Sequence, residues 1–348
     1  MTATWLVMAA ACDRGHPREA PAERPAAEPA PAAPAAGSAA GSAAGSAAAA
    51  AAGSATAAAV PGCPLTALPL RLPAARRVVA IGDLHGDLAA ARSALRAAGA
   101  IDAQGHWSGG DLVVVQTGDV LDRGDDDRAL LDLIARLETE AAAAGGRFVA
   151  LLGNHELMNA AGDFRYVTPG GARAFDGAPG PAAAGVPPNV PAEARHRAEA
   201  LMPGGSYARQ LAHHDAIAVV GDTAFSHAGI PASWAGRADD ANLRARCWLD
   251  GDLAQPTELA TDDESPVWTR QFGGADVDCA QVKAALAALH VQRMVVGHTP
   301  QRTGINAMCD GALWRIDVGL SKAYGGPIEV LELTGEGPSG AKVLHGTR

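Results

Sequence analysis

Asp83, His85, Asp119, Asn154, His227 and His298 are oxygen and nitrogen donors, and each stands at or just beyond the end of a short apolar run. No thiolate is among them, so the set suits hard or borderline divalent ions, Mn²⁺ first, with Fe²⁺/Fe³⁺ or Zn²⁺ as alternatives. These donors are too many for one catalytic ion that keeps open positions. They fit two ions that share Asp119. Two divalent ions bring +4 and the two aspartates return −2, which leaves +2 for a bridging hydroxide and a phosphate dianion. That balance belongs to a two-metal hydrolase, whose ions stand about 3.5–4 Å apart, acidify a bridging water and clamp the attacking and leaving oxygens of an in-line displacement.

Strand-like runs must position these residues. Val78 to Ile81, Leu112 to Gln116, Phe148 to Leu152, Ala224 to Ser226 and Met294 to Val296 read as buried strands, each ending in Gly-Asp, Gly-Asn, His or Gly-His. Between them, Leu88, Ala91, Leu95 and Ala98 keep helical spacing, as do Leu130, Ile134 and Leu137. Strand, polar tip and helix in repetition predict a layered α/β fold with ligands at the carboxyl ends of strands. Gly82, Gly118, Gly153 and Gly297 lie just before the donors, where the backbone must turn or pass close to a neighbour. Residues 169–205, rich in Gly-Gly and Pro-Pro, read as an insertion or lid with one short helix from Ala192 to Met202.

The local blocks carry a resemblance. Gly82-Asp83-Leu84-His85-Gly86, Gly118-Asp119-Val120-Leu121-Asp122-Arg123-Gly124 and Gly153-Asn154-His155-Glu156 resemble the signature blocks of the phosphoprotein phosphatase branch of calcineurin-like metallophosphoesterases. Ser226-His227-Ala228-Gly229 and Val296-Gly297-His298-Thr299 follow in the family's order. Glu156 to Asn159, Phe164 to Pro169, Pro266 to Arg270 and Leu313 to Ser321 are similar to the bacterial Shewanella-like protein phosphatases.

The resemblance implies a layered β-sandwich core flanked by helices. It also implies a phosphomonoesterase acting on phosphorylated proteins or peptides, at tyrosine or at serine and threonine, with hydroxide attacking phosphorus in line. Asp83, His85 and Asp119 would bind one metal, and Asp119, Asn154, His227 and His298 the other. His155 would protonate the leaving oxygen with Asp122 orienting it, while Arg123, and Arg270 as a second clamp, would hold the phosphate. A nucleotide hydrolase such as a symmetrical diadenosine tetraphosphatase shares these blocks and is the alternative. A phosphoprotein-binding pseudoenzyme is remote, because every ligand and His155 are intact.

Bland readings fit other residues. Asp87 and Asp125 to Asp127 precede helical patterns and read as caps. His106, His196, His213, His214 and His290 fall in no motif, and Glu156 reads as a support of its loop.

The chain has 348 residues, a net charge of −10 and only three lysines (Lys283, Lys322, Lys342), which disfavours nucleic acid as a partner. No apolar run is long enough to span a membrane. Residues 1–12 resemble a lipoprotein signal ending at Cys12, and residues 13–70 read as a disordered Ala/Gly/Ser/Pro-rich linker before a domain at 71–338. A lipid on Cys12 would make a membrane tether, favouring a periplasmic or membrane-anchored location over a cytoplasmic one. Cys63, Cys247, Cys279 and Cys309 then allow three disulfide pairings in an oxidising compartment, while four buried free thiols would be equally ordinary in a cytosolic enzyme.

Overall fold

The computed structural model describes residues 59–348 apart from 179–185, 189, 336 and 338. The signal expected to end at Cys12 and most of the expected linker lie outside the described residues. In chain order the strands are β1 (Arg71–Leu72), β2 (Val78–Ile81), β3 (Val113–Gln116), β4 (Arg147–Ala150), β5 (Ile217–Val220), β6 (Thr223–Ser226), β7 (Arg293–Val296), β8 (Asn306–Met308), β9 (Leu313–Arg315), β10 (Glu329–Leu333) and β11 (Ala341–His345). They form two sheets, ordered β1-β5-β6-β7-β9-β8 and β11-β10-β2-β3-β4.

Within the second sheet β2, β3 and β4 run parallel, with Val78 opposite Val113 and Val113 opposite Arg147. In the first, β6, β7 and β9 are parallel. Each parallel trio therefore brings its carboxyl ends side by side, and the loops that leave those ends carry the polar blocks. The period of two decides what each strand buries. Val78 and Ala80 of β2 meet Val115, Phe225, Val295 and Leu331 between the sheets. Val79 and Ile81 point the other way, into the core shared with α1 (Leu88–Ala97) and α2 (Asp127–Ala143). Phe225 is fully buried, which stabilises the inter-sheet layer by about 1.5–3 kcal/mol on transfer from water alone.

The fold is the expected α/β sandwich flanked by helices, and boundaries moved by a residue or two. The run expected to end at Leu152 leaves the ladder at Ala150. Leu152 N–H then bonds to Asp215 O as the chain crosses toward the other sheet.

Two edges of the domain differ from expectation. The chain is held against the domain before residue 70: Val60 is buried, and Cys63 is disulfide-bonded to Cys247 of the helix Ala238–Asp250. The reason is local, since Val60 and Leu65 supply the side-chain area that the alanines before them lack, and they pack beside Leu243. At the other end β11 extends the domain past residue 338 by pairing antiparallel with β10. The second pairing is Cys279 with Cys309.

The described residues between 169 and 205 are more regular than their glycines suggest. After α3 (Asn154–Ala160) comes a short helix α4 (Pro169–Arg173), started by Pro169 and capped by the Thr168 hydroxyl, which accepts from Gly171 N–H. The helix expected from Ala192 to Met202 is a 3₁₀ turn at Ala192–Ala194 followed by α5 (Arg195–Leu201). Ala172, Val190 and Ala198 pack these pieces together. Among the described residues no helix is long and apolar enough to cross a membrane.

Candidate metal centre

The loops after β2, β3 and β4 are locked to one another by backbone bonds. Leu84 and His85 N–H groups both donate to Asp119 O at 2.9 Å. Glu156, the loop support expected from sequence, accepts from the N–H groups of Gly153, Asp119, Val120 and Leu121. His85, Asp119, Asp122, Arg123 and His298 all adopt positive φ, between 44° and 71°. Side chains rarely occupy that region, and such strain gathers where a fold over-determines a site. Gly118 has φ +93°, and a Cβ there would stand 2.5 Å from Gly153 N. A Cβ on Gly297 would stand 2.4 Å from the Asp83 carboxylate.

Three histidines face one buried cluster with the same logic. His85 Nδ1 bonds to Leu121 O at 3.1 Å, His227 Nδ1 to Thr117 O at 3.0 Å and His298 Nε2 to Trp268 O at 3.2 Å. A carbonyl can only accept, so each of those nitrogens carries a proton, and in the neutral ring the other nitrogen presents a lone pair. The free nitrogens converge. His227 Nε2 lies 3.0 Å from His298 Nδ1, 2.8 Å from Asn154 Oδ1 and 3.3 Å from Asp119 Oδ2. His85 Nε2 lies 3.7 Å from Asp119 Oδ2 and 3.9 Å from Asp83 Oδ2.

Nitrogen facing nitrogen and carboxylate at these distances needs a proton or a cation between them, and a set of imidazoles, carboxylates and an amide oxygen fits divalent metals. The backbone carbonyls fix each ring as outer partners of metal-ligating histidines do. Asp119 belongs to both donor groups, one with His85 and His155 and one with His227 and His298.

The charges agree. Burial, then Asp317 and Asp119, push the Asp83 carboxyl well above its usual range. Burial also opposes ionisation of Asp119, yet His227 and His155 together hold it well below. Burial lowers His85 to about 4 and His298 to about 2, which leaves both rings neutral and able to ligate at pH 7.

His155 stands apart in its second contact. Its Nε2 is 3.8 Å from Asp119 Oδ2, but its Nδ1 is bonded at 2.6 Å to Asp122, a carboxylate rather than a carbonyl. Burial favours the neutral ring, and the nearby Asp119 and Asp122 outweigh it, raising His155 to about 9. The cluster thus sets His85 and His298, held neutral, apart from His155, which keeps a proton.

Arg123 lies over the Tyr166 ring at 3.9 Å and faces Tyr324 at 5.8 Å. Its Nε has no hydrogen-bond partner among the described residues. Arg270 is exposed and donates to His298 O at 3.3 Å and Thr299 Oγ1 at 3.1 Å, on the His298 side of the cluster.

Several residues at the site had no assigned role in the sequence. Asp317, just beyond β9, is buried beside Asp83 and raised by burial to about 6; it repeats the strand-then-acid pattern and could have been found by it. Asn159 donates to both Asp122 oxygens, at 3.1 and 3.2 Å. Asp127, read as a cap, begins α2 but accepts from Asp122 N–H and pairs with the buried Arg197. Asp125 accepts from Thr168 at 2.5 Å, so only Asp87 of those acids makes the expected cap bond, to Ala90 N–H.

The family comparison matches residues 76–302 to the calcineurin-like phosphoesterases. The chain is 37% identical over 303 residues to a protein named Shewanella-like protein phosphatase 2 from Arabidopsis thaliana, covering 77% of each chain. It is 26% identical over 271 residues to Shewanella-like protein phosphatase 1 from Plasmodium berghei, covering 72% of this chain and 69% of that one. The crystal structure of a cold-active protein-tyrosine phosphatase from a psychrophilic Shewanella superimposes with a TM-score of 0.63 at 26% identity, over 80% of this chain and 83% of that one. With the ligand blocks, the sandwich and these relatives in agreement, the chain belongs to the calcineurin-like metallophosphoesterases and is a phosphoester hydrolase similar to the Shewanella-like protein phosphatases.

Proposed function

We propose that this enzyme is a dinuclear metal-dependent phosphomonoesterase acting on phosphorylated proteins or peptides, with phosphotyrosine at least as good a substrate as phosphoserine or phosphothreonine. The observation that carries the reading is the convergence of His85, His227 and His298 ring nitrogens on Asp119 beside His155, which is hydrogen-bonded to a second carboxylate, Asp122. Asp83, His85 and Asp119 would hold one ion; Asp119, Asn154, His227 and His298 would hold the other. When bound, the ions, Mn²⁺ first among candidates, supply an acidified water and neutralise phosphate charge.

The chain's own residues do the rest. Arg123, committed to no hydrogen bond at Nε, grips phosphate oxygens with its planar fork, and Arg270 approaches from the His298 side. His155 Nε2 delivers a proton to the leaving alkoxide or phenoxide, while Asp122 on Nδ1 sets the tautomer and direction of the ring. Tyr166 and Tyr324 place aromatic surface beside Arg123, which supports turnover of an aryl phosphate such as phosphotyrosine, as does the likeness to the protein-tyrosine phosphatase structure.

The test is a panel of phosphotyrosine, phosphoserine and phosphothreonine peptides with dinucleoside polyphosphates, assayed in Mn²⁺ and after chelation. Turnover confined to dinucleoside polyphosphates would favour the nucleotide-hydrolase alternative. The membrane tether at Cys12 is part of the same proposal and rests on sequence; mass spectrometry of the native amino terminus tests it.

A further inference from the structure

Arg197 is fully buried on α5, in the segment that reads from sequence as an insertion or lid. Its guanidinium makes four hydrogen bonds with its five N–H groups. Nη2 donates to Asp122 Oδ1 at 2.7 Å, Nε to Asn159 Oδ1 at 2.8 Å, and Nη1 to both Asp127 Oδ2 and Gly171 O. The other oxygen of Asp122 is the one bonded to His155 Nδ1.

A buried ion pair of this kind rarely adds stability over an apolar filling of equal volume, because desolvation consumes the Coulombic gain. Its placement therefore calls for a use. The geometry supplies one. With Oδ1 held by Arg197 and Asn159, and Oδ2 by His155, the Asp122 carboxylate cannot turn about its Cβ–Cγ bond. A fixed carboxylate plane fixes the imidazole plane, and so the direction in which Nε2 presents its proton. Asp127 anchors the other end of the fork and also accepts from Asp122 N–H, so both backbone and side chain of Asp122 are referred to one guanidinium.

We propose that Arg197 is a positioning residue for proton delivery to the leaving group, and that α4 and α5 form the rear wall of the His155–Asp122 pair. The inference rests on the phosphomonoesterase reading and on His155 as the acid. A general acid matters in proportion to the basicity of the leaving group. Damage to it is nearly silent with p-nitrophenyl phosphate, whose leaving group departs unaided, and large with phenyl phosphate.

The experiment compares wild type with Arg197→Lys, which keeps charge and most volume but loses the fork, and with Arg197→Met. Metal content and thermal unfolding are read alongside kcat and KM. The expected result is unchanged metal content and KM within about threefold. The kcat should fall less than about threefold on p-nitrophenyl phosphate and about 10- to 100-fold on phenyl phosphate, the range for loss of a supporting partner. In a His155→Asn background, Arg197→Lys should add no further loss. An equal loss on both substrates, no loss on either, or an added loss in the His155→Asn background would overturn the proposal. Absence of phosphomonoesterase turnover in the wild type would be a different failure, and would overturn the functional reading together with this one.

Discussion

Gly118→Ala tests whether the close approach of two loops builds the centre. Gly118 has φ +93°, and a Cβ would lie 2.5 Å from Gly153 N and 2.6 Å from Gly153 Cα, both backbone atoms that cannot swing aside. Restoring a contact of 3.0–3.4 Å requires the Asp119 loop and the Asn154 loop to part by 0.5–0.9 Å. That movement separates Asp119 from His227 and Asn154, and a misplacement of about 1 Å typically costs about 100-fold in rate. The left-handed backbone adds a conformational cost of about 1–2 kcal/mol.

Gly110→Ala is the matched control, since its φ is +58° and its Cβ would meet open space. It should carry the conformational cost alone, lowering Tm by about 2–4 °C per kcal/mol while turnover and metal content stay at wild-type values. For Gly118→Ala, kcat on p-nitrophenyl phosphate should fall about 100-fold and metal content should drop. Wild-type turnover in Gly118→Ala, or an equal loss in both variants, would refute the reasoning.

Other outcomes follow from single contacts. His155→Asn should keep its metal content and lose about 10²- to 10⁴-fold in kcat on phenyl phosphate, measured by steady-state kinetics beside metal analysis. Although desolvation opposes it, the Trp107 N–H, His106 and Arg136 hold Glu140 down at about 2 from a usual 4.5. A depressed acid contributes stability above its unfolded pKa and loses it as pH falls toward the folded one. The Tm gap between wild type and Glu140→Gln should therefore be full near pH 6 and shrink between pH 4.5 and pH 2; a constant gap would contradict the assignment. Removing the Cys63–Cys247 disulfide, which spans 184 residues, should cost roughly 1.5 kcal/mol more than removing Cys279–Cys309, which spans 30, by loop entropy in equilibrium denaturation.

The ligand blocks were legible because their strands are buried on both faces. A strand such as β2 then reads as an uninterrupted apolar run, and the polar residue that ends it stands out. β5 is equally apolar but ends in a turn with no metal-type donor set after it, so nothing in the sequence marks it. β10 and β11 carry glutamate, lysine and histidine among their apolar residues, which dilutes the same signal.

Arg197 shows a harder limit. It sits between Arg195 and His196, both exposed, and Glu199 in a helix that reads as a solvated face. Its partners lie 70 and 75 residues earlier in the chain, at Asp127 and Asp122. Burial of that one charge is a property of where α5 docks. The same holds for Asp127, whose place at the start of α2 was legible while its bond to Asp122 was not.

The central claim is a pair of metals joined through Asp119, and metal stoichiometry measures it most directly. Elemental analysis after Mn²⁺ loading and gel filtration should give about two ions per wild-type chain, near one for His298→Asn and well below one for Asp119→Asn. Two ions per chain in Asp119→Asn, or no more than one in the wild type, would contradict it.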